Sequence, residues 1–170
     1  MKFLAESDRL GLVVMVEQHV EGAKHFWGDP DVMAESGGAS KPENLPAIIL
    51  AYRQCYEATG ITVFGVIEKH SGQLIGASGF NGTANDREIE LIYHFAAAFW
   101  GKGYATEAGA LALKIAEKQT GIHLVYASAD PQNKASLKVL EKLGFHYIDH
   151  RWFDDTQQEE PYYELVLHQN

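Results

Sequence analysis

The segment Trp100-Gly101-Lys102-Gly103-Tyr104-Ala105-Thr106-Glu107-Ala108 joins a strand-like run, Glu88 to Phe95, to a helix-like run that continues to Gln119. Two glycines around a lysine at a strand-to-helix junction let backbone N–H groups converge with no Cβ in the way. The helix adds unpaired first-turn N–H groups and the positive end of its dipole, so a phosphate or diphosphate is the natural ligand. Taken alone, Gly101 and Gly103 read as a tight turn. The Walker A spacing is absent, and no Gly-x-Gly-x-x-Gly sits between a first strand and helix. The context on both sides carries the signal.

Upstream of Glu88 lie two more strand patterns, Ile61 to Lys69 and Leu74 to Asn81. The connection His70-Ser71-Gly72-Gln73 makes them a hairpin, and a turn over Gly82 to Asp86 adds Glu88 to Phe95 as a third antiparallel strand. Earlier still, Leu10 to Val16 is a strand and Glu17 to Trp27 a helix ended by Gly28-Asp29-Pro30. After a loop, Ser36 to Lys41, the run Pro42 to Thr59 is a second helix stopped by Gly60. Downstream, Thr106 to Gln119 is a strong helix ended by Gly121, and His123 to Ala127 a short buried strand. Lys134 to Leu143 is the last helix, with Gly144 at its end; Phe145 to Arg151 and Tyr162 to Leu167 close the sheet. The order predicts an α/β fold: a mixed, mostly antiparallel sheet of about seven strands with helices on both faces.

A chain of 170 residues with 46% hydrophobic content buries a proper core, and residues 1–170 read as one domain. The net charge of −9 argues against nonspecific nucleic-acid binding and mildly favours cationic partners. The single cysteine, Cys55, forms no internal disulfide, suits a reducing compartment, and reads as a small core residue. No apolar segment of signal-peptide length precedes Glu6 and Asp8, and no run approaches membrane-spanning length, so a cytoplasmic protein without membrane contact is expected. His146 and His150 stand at i, i+4, but on a strand that spacing makes no metal pair, and no metal is expected.

Alternation along Glu88 to Phe95 puts Glu88, Glu90, Ile92 and His94 on one face and Ile89, Leu91, Tyr93 and Phe95 on the other. On a central strand Glu90 has mostly apolar neighbours. Desolvation would raise its pKa, which suits a general base near neutral pH. The other reading is a solvated glutamate, or one paired with Arg87 or a lysine.

The run Glu90 to Ala108 resembles motif A of the GNAT acyl-CoA N-acyltransferases. Their Gln/Arg-x-x-Gly-x-Gly/Ala reads here as Trp100 to Ala105, with Trp in place of Gln/Arg, a departure typical of the branch that acetylates ribosomal-protein N-termini. Asn133-Lys134-Ala135-Ser136, followed by Glu141 to Phe145, is similar to motif B. Asp29 to Met33 resembles a helix connection near the family's N-terminus. The resemblance spans nearly the whole chain. It implies that strands four and five (Glu88 to Phe95 and His123 to Ala127) run parallel and splay apart, leaving a slot for the pantetheine arm of acetyl-CoA as co-substrate.

It further implies that backbone around His94, Phe95, Ala96, Trp100, Gly101, Lys102, Gly103, Tyr104, Ala105 and Thr106, together with Asn133, contacts the coenzyme. Asn133 reads equally as a helix N-cap, and both roles can hold together. His94 is either a helper to the base or lining of the slot. Lys102 acts through its side chain or, as in relatives, through loop backbone. Glu107 reads as part of a solvated helix face, and Tyr93 and Tyr104 as packing groups.

Amine acetylation needs a base, an oxyanion donor and a group at the leaving thiolate. Glu90 is the candidate base. Family geometry implies a strand-four backbone N–H near Phe95 or Ala96 as oxyanion donor, freed from pairing by a bulge. Many relatives place a tyrosine four residues before the motif B glycine, where this chain has Leu140. Ser136, one helical turn earlier, is then the candidate at the sulfur; alternatively it is an ordinary first-turn serine and water protonates the thiolate.

Trp27 to Lys41 and the hairpin Arg151 to Tyr162 are positioned by analogy to wall the acceptor side. The hairpin's Asp154, Asp155, Glu159 and Glu160 form either a rim that attracts a cationic acceptor or an ordinary solvated loop. The resulting expectation is an N-acetyltransferase acting on a primary amine, in a protein N-terminus or a small molecule, as a monomer or homodimer. Its rivals are a CoA-binding sensor or interaction module without turnover, and an unrelated phosphate-binding protein sharing only the glycine turn.

Overall fold

In a computed structural model, which describes residues 1–82 and 87–168, alternating side chains build the strands and glycines punctuate them. Among the described residues one sheet has eight strands: β1 (Ala5–Glu6), β2 (Leu10–Val13), β3 (Val63–Glu68), β4 (Gln73–Asn81), β5 (Glu88–Phe95), β6 (Leu124–Ser128), β7 (His146–Phe153) and β8 (Gln158–Val166). Their spatial order is β1-β2-β3-β4-β5-β6-β8-β7. Every neighbouring pair is antiparallel except β5 and β6. The helices are α1 (Val20–Ala23), α2 (Pro30–Met33), α3 (Leu45–Thr59), α4 (Tyr104–Glu117) and α5 (Lys134–Lys142).

The strand expected over Glu88 to Phe95 has those bounds, and Gly60 ends α3 in the left-handed conformation, φ 73°. The expected turn over Gly82 to Asp86 falls largely outside the described residues. Three differences stand out. The two-residue β1 is one strand more than periodicity predicts, because so short a run has no period to read. The first strand stops at Val13. The helix expected over Glu17 to Trp27 is a 3₁₀ turn at Glu17–His19, then α1, then turns. A Cβ on Gly22 would stand 3.0 Å from the Leu74 side chain of β4, so this segment packs closely on the sheet.

Two apolar layers cover the sheet. On one face Ile89, Leu91 and Phe95 of β5 pack with Leu111 and Ile115 of α4 and Leu140 of α5. On the other, Phe26, Trp27, Leu45 and Ile49 pack against Val63 and Ala77, with Ile92 of β5 at the margin. The alternation expected for β5 therefore holds.

The feature that makes a site is the short pairing of the two parallel strands. Glu88, Ile89 and Glu90 pair with Leu124, Val125 and Tyr126, after which β5 continues to Phe95 and β6 to Ser128 with no further pairs between them among the described residues. A slot opens in the middle of the sheet directly after Glu90.

Candidate active site

The slot widens into a cleft of about 960 Å³. Every site residue expected from sequence except Ala96 and Lys102 lines it. At one end, Gly101 and Gly103 adopt left-handed φ of 75° and 79°, which turns the chain from a 3₁₀ turn at Ala97–Phe99 into α4. A Cβ at Gly101 would meet nothing within 4 Å, so glycine is required there by conformation, not by space. Gly103 is the N-cap of α4 and has no side chain to cap with, which leaves the N–H groups of Tyr104, Ala105 and Thr106 to an external acceptor. Trp100 is 55% exposed, yet its indole N–H donates to the Phe95 carbonyl at 2.8 Å and ties the loop to the end of β5.

Behind the loop stands a brace that spacing does not reveal. Arg9 pairs with Glu107 through Nε at 2.8 Å and donates from Nη1 to the Lys102 carbonyl at 3.0 Å. Ser7 donates to the same carboxylate at 2.5 Å. Although burial pushes the Glu107 carboxyl up, Arg9 and Ser7 hold it below the usual range. Glu107 is thus bound, contrary to the expectation of a solvated face. Tyr104 packs as expected, its ring under Arg9 at 4.6 Å and its hydroxyl donating to Glu68 at 2.7 Å. The Lys102 ammonium lies 5.2 Å from the Phe99 ring centre.

The bulge expected near Phe95 and Ala96 is not there. β5 pairs with β4 in even register up to Gly76–Phe95, and the Ala96 N–H donates to Ile75 O at 3.0 Å. Ala96 therefore has no amide to give an oxyanion. Alternation of an antiparallel ladder turns the Phe95 N–H the opposite way, toward the slot edge, with its carbonyl already held by Trp100.

Asn133 caps α5, its Oδ1 accepting from the Ser136 N–H at 3.1 Å. Leu140 is fully buried. A phenol nevertheless reaches this corner from the sheet, for Tyr93 Oη lies 2.8 Å from Ser136 Oγ and 3.0 Å from Ser136 O. The odd-numbered face of β5 could have signalled Tyr93; its partner 43 residues on could not.

At the other end Glu90 sits at the fork of the strands. Burial first, then Asp155 and Glu160, push its carboxyl above the usual range. Of the expected acidic rim, Asp155 and Glu160 line the cleft, whereas Asp154 and Glu159 are exposed outside it. Glu160 is 4% exposed and accepts from Thr156 Oγ1 at 2.7 Å and Gln158 Nε2 at 3.1 Å. His94 receives the indole N–H of Trp27 on Nδ1 at 3.3 Å, and burial pushes its pKa down to about 4. Its neutral ring therefore carries hydrogen on Nε2, which makes it a donor and removes it as a base. Segment 27–41 lines this end through Trp27, Asp31, Met33 and Ser36. Cys55 lies away from the cleft, its thiol donating to Ile61 O at 3.3 Å. Among the described residues no three His, Cys, Asp or Glu side chains are grouped to hold a metal.

Residues 9–146 match the acetyltransferase (GNAT) domain family. The chain belongs to the GNAT acetyltransferases. YkkB of Bacillus subtilis (strain 168) is 30% identical over 124 residues, 72% of each chain. The N-acetyltransferase p20 of Bacillus licheniformis is 30% identical over 145 residues, 82% of this chain and 80% of its own. Among solved structures, a GNAT-family acetyltransferase from Bacillus anthracis superposes with TM-score 0.83 at 23% identity, covering 95% of this chain and 97% of that one. RimL, a ribosomal L7/L12 alpha-N-protein acetyltransferase solved with coenzyme A, gives TM-score 0.77 at 13% identity over 98% of both. These two likenesses establish the GNAT fold. No helix among the described residues of this acetyltransferase is long and apolar enough to cross a membrane.

Proposed function

We propose that this acetyltransferase passes the acetyl group of acetyl-CoA directly to a primary amine, with no acyl-enzyme intermediate. The observation that carries the reading is the fork at Glu90, where a carboxyl of raised pKa lines one cleft with the glycine loop and with an acidic recess of Asp155 and Glu160. The amides of Gly101 to Thr106 and Asn133 would hold the diphosphate and arm of the coenzyme. The coenzyme brings an acyl group on a good leaving thiol.

Glu90, through water, takes the proton that the ammonium must lose before nitrogen can attack. The Phe95 N–H is the donor for negative charge on the carbonyl oxygen. Ser136 stands at the departing sulfur. The recess suits a cationic amine because Asp155 and Glu160 face it with Glu90. A protein N-terminus, the acceptor named for the neighbour RimL, and a small polyamine or aminoglycoside both satisfy that chemistry.

Thiol release from acetyl-CoA across peptide, polyamine and aminoglycoside acceptors tests the reading. Glu90→Gln is expected to lower turnover by about 100-fold or more, the usual worth of a positioned base. Unchanged turnover in that variant removes Glu90 as the base. CoA binding with no release on any amine favours a non-catalytic sensor instead.

A further inference from the structure

Resting on the transferase reading, we infer that Tyr93 is a positioning residue: its phenol donates to Ser136 Oγ and so aims the serine's own hydrogen into the slot, at the coenzyme sulfur.

The phenol has one hydrogen and two acceptors within reach, Ser136 Oγ at 2.8 Å and Ser136 O at 3.0 Å. The carbonyl belongs to α5, whose ladder already gives it the N–H four residues on. The hydroxyl oxygen is nearer and has two lone pairs and a single hydrogen of its own. When Tyr93 donates to it, that hydrogen is released from the phenol and turns to the open side, where Ser136 lines the cleft. The backbone N–H of Ser136 is held by Asn133, which fixes the first helical turn that carries the serine.

The step this serves is cleavage of the C–S bond. The electron pair goes to sulfur, and the Ser136 O–H hydrogen-bonds to the resulting thiolate, which later takes its proton from water. Tyr93 gives up no proton, because burial pushes its pKa up to about 12, well above that of a thiol. A β5 phenol thereby assists the corner where Leu140 supplies none.

The test needs no turnover. CoA bound to the protein is titrated with pH while the ultraviolet absorbance of its thiolate is followed. A hydrogen bond to a charged sulfur, lost in Ser136→Ala or Tyr93→Phe, should raise the bound thiol's pKa by about one unit. The double variant should shift no further than Ser136→Ala; circular dichroism should match wild type, and CoA affinity should match below the thiol pKa and fall in the variants only above it. Equal thiol pKa values in wild type and Ser136→Ala overturn the inference even if Tyr93→Phe fails to fold. A Tyr93→Phe shift that persists undiminished in the Ser136→Ala background also overturns it. Wild-type protein that binds no CoA overturns the transferase reading with it.

Discussion

Glu90 of β5 and Tyr126 of β6 form the last pair of the parallel ladder, and the two strands part immediately beyond them. One half-buried carboxylate therefore stands where the sheet opens and lines the cleft. Under the proposed function, its placement ties catalysis to stability.

The folded state raises the Glu90 pKa, so the fold favours the protonated form. That contribution is complete below the unfolded value, about 4.3, and is lost as pH rises through the folded one. Glu90→Gln should thus unfold at higher temperature than wild type at pH 7 to 8, by about 2–4 °C if the relief is about 1 kcal/mol. The gap should close toward pH 4. Thermal melts across that range check it, and a variant less stable at pH 8 contradicts it.

Removing the charge of Asp155 should lower the Glu90 pKa, since Asp155 is one of the groups that raise it. The acidic limb of the kcat/KM profile is expected to move to lower pH in Asp155→Asn. An unmoved limb assigns it to another group.

His94 should stay neutral down to about pH 4. Its lowered pKa makes stability fall as pH drops from about 6.5 toward that value, because the unfolded chain takes the proton first. Ring C–H resonances followed by NMR should titrate near 4 in wild type and higher in Trp27→Phe, which removes the donor to Nδ1. Titration near 6.5 in wild type would contradict the burial and the tautomer assigned here.

The brace behind the glycine loop should matter for the coenzyme as well as for folding. Glu107→Gln loses the Arg9 ion pair and should cost about 1 kcal/mol, which is modest because Arg9 is half in water. Melting should fall by about 2–4 °C and CoA affinity several-fold. Full CoA affinity in that variant would mean the loop holds its shape unaided.

Much of this was legible in the sequence because it is local. β5 has its expected bounds and faces, the glycines of the loop are left-handed, and Gly60 stops α3. The rest depends on partners far apart in the chain. Arg9 meets Glu107, Trp27 meets His94 and Tyr93 meets Ser136 across 98, 67 and 43 residues, distances over which periodicity carries no information. The segment after Val16 misled for a different reason. Its stop signal, Gly28-Asp29-Pro30, suits a helix over the whole run, but a 3₁₀ turn takes Glu17–His19 and the α-helix lasts only from Val20 to Ala23. The expected bulge in β5 came from family likeness and gives way to a register that stays even to Phe95.

Calorimetric titration with acetyl-CoA tests the central claim most directly, that left-handed glycines present the amides before α4 to a diphosphate. Gly101 faces open space, so Gly101→Val alters only the backbone, at roughly 1–2 kcal/mol for a left-handed L-residue. The expected result is one-to-one binding in wild type, weakened about tenfold in Gly101→Val and much less in Gly101→Asn, which tolerates that conformation. No heat of binding from folded wild-type protein, or equal affinities for all three, would contradict the account.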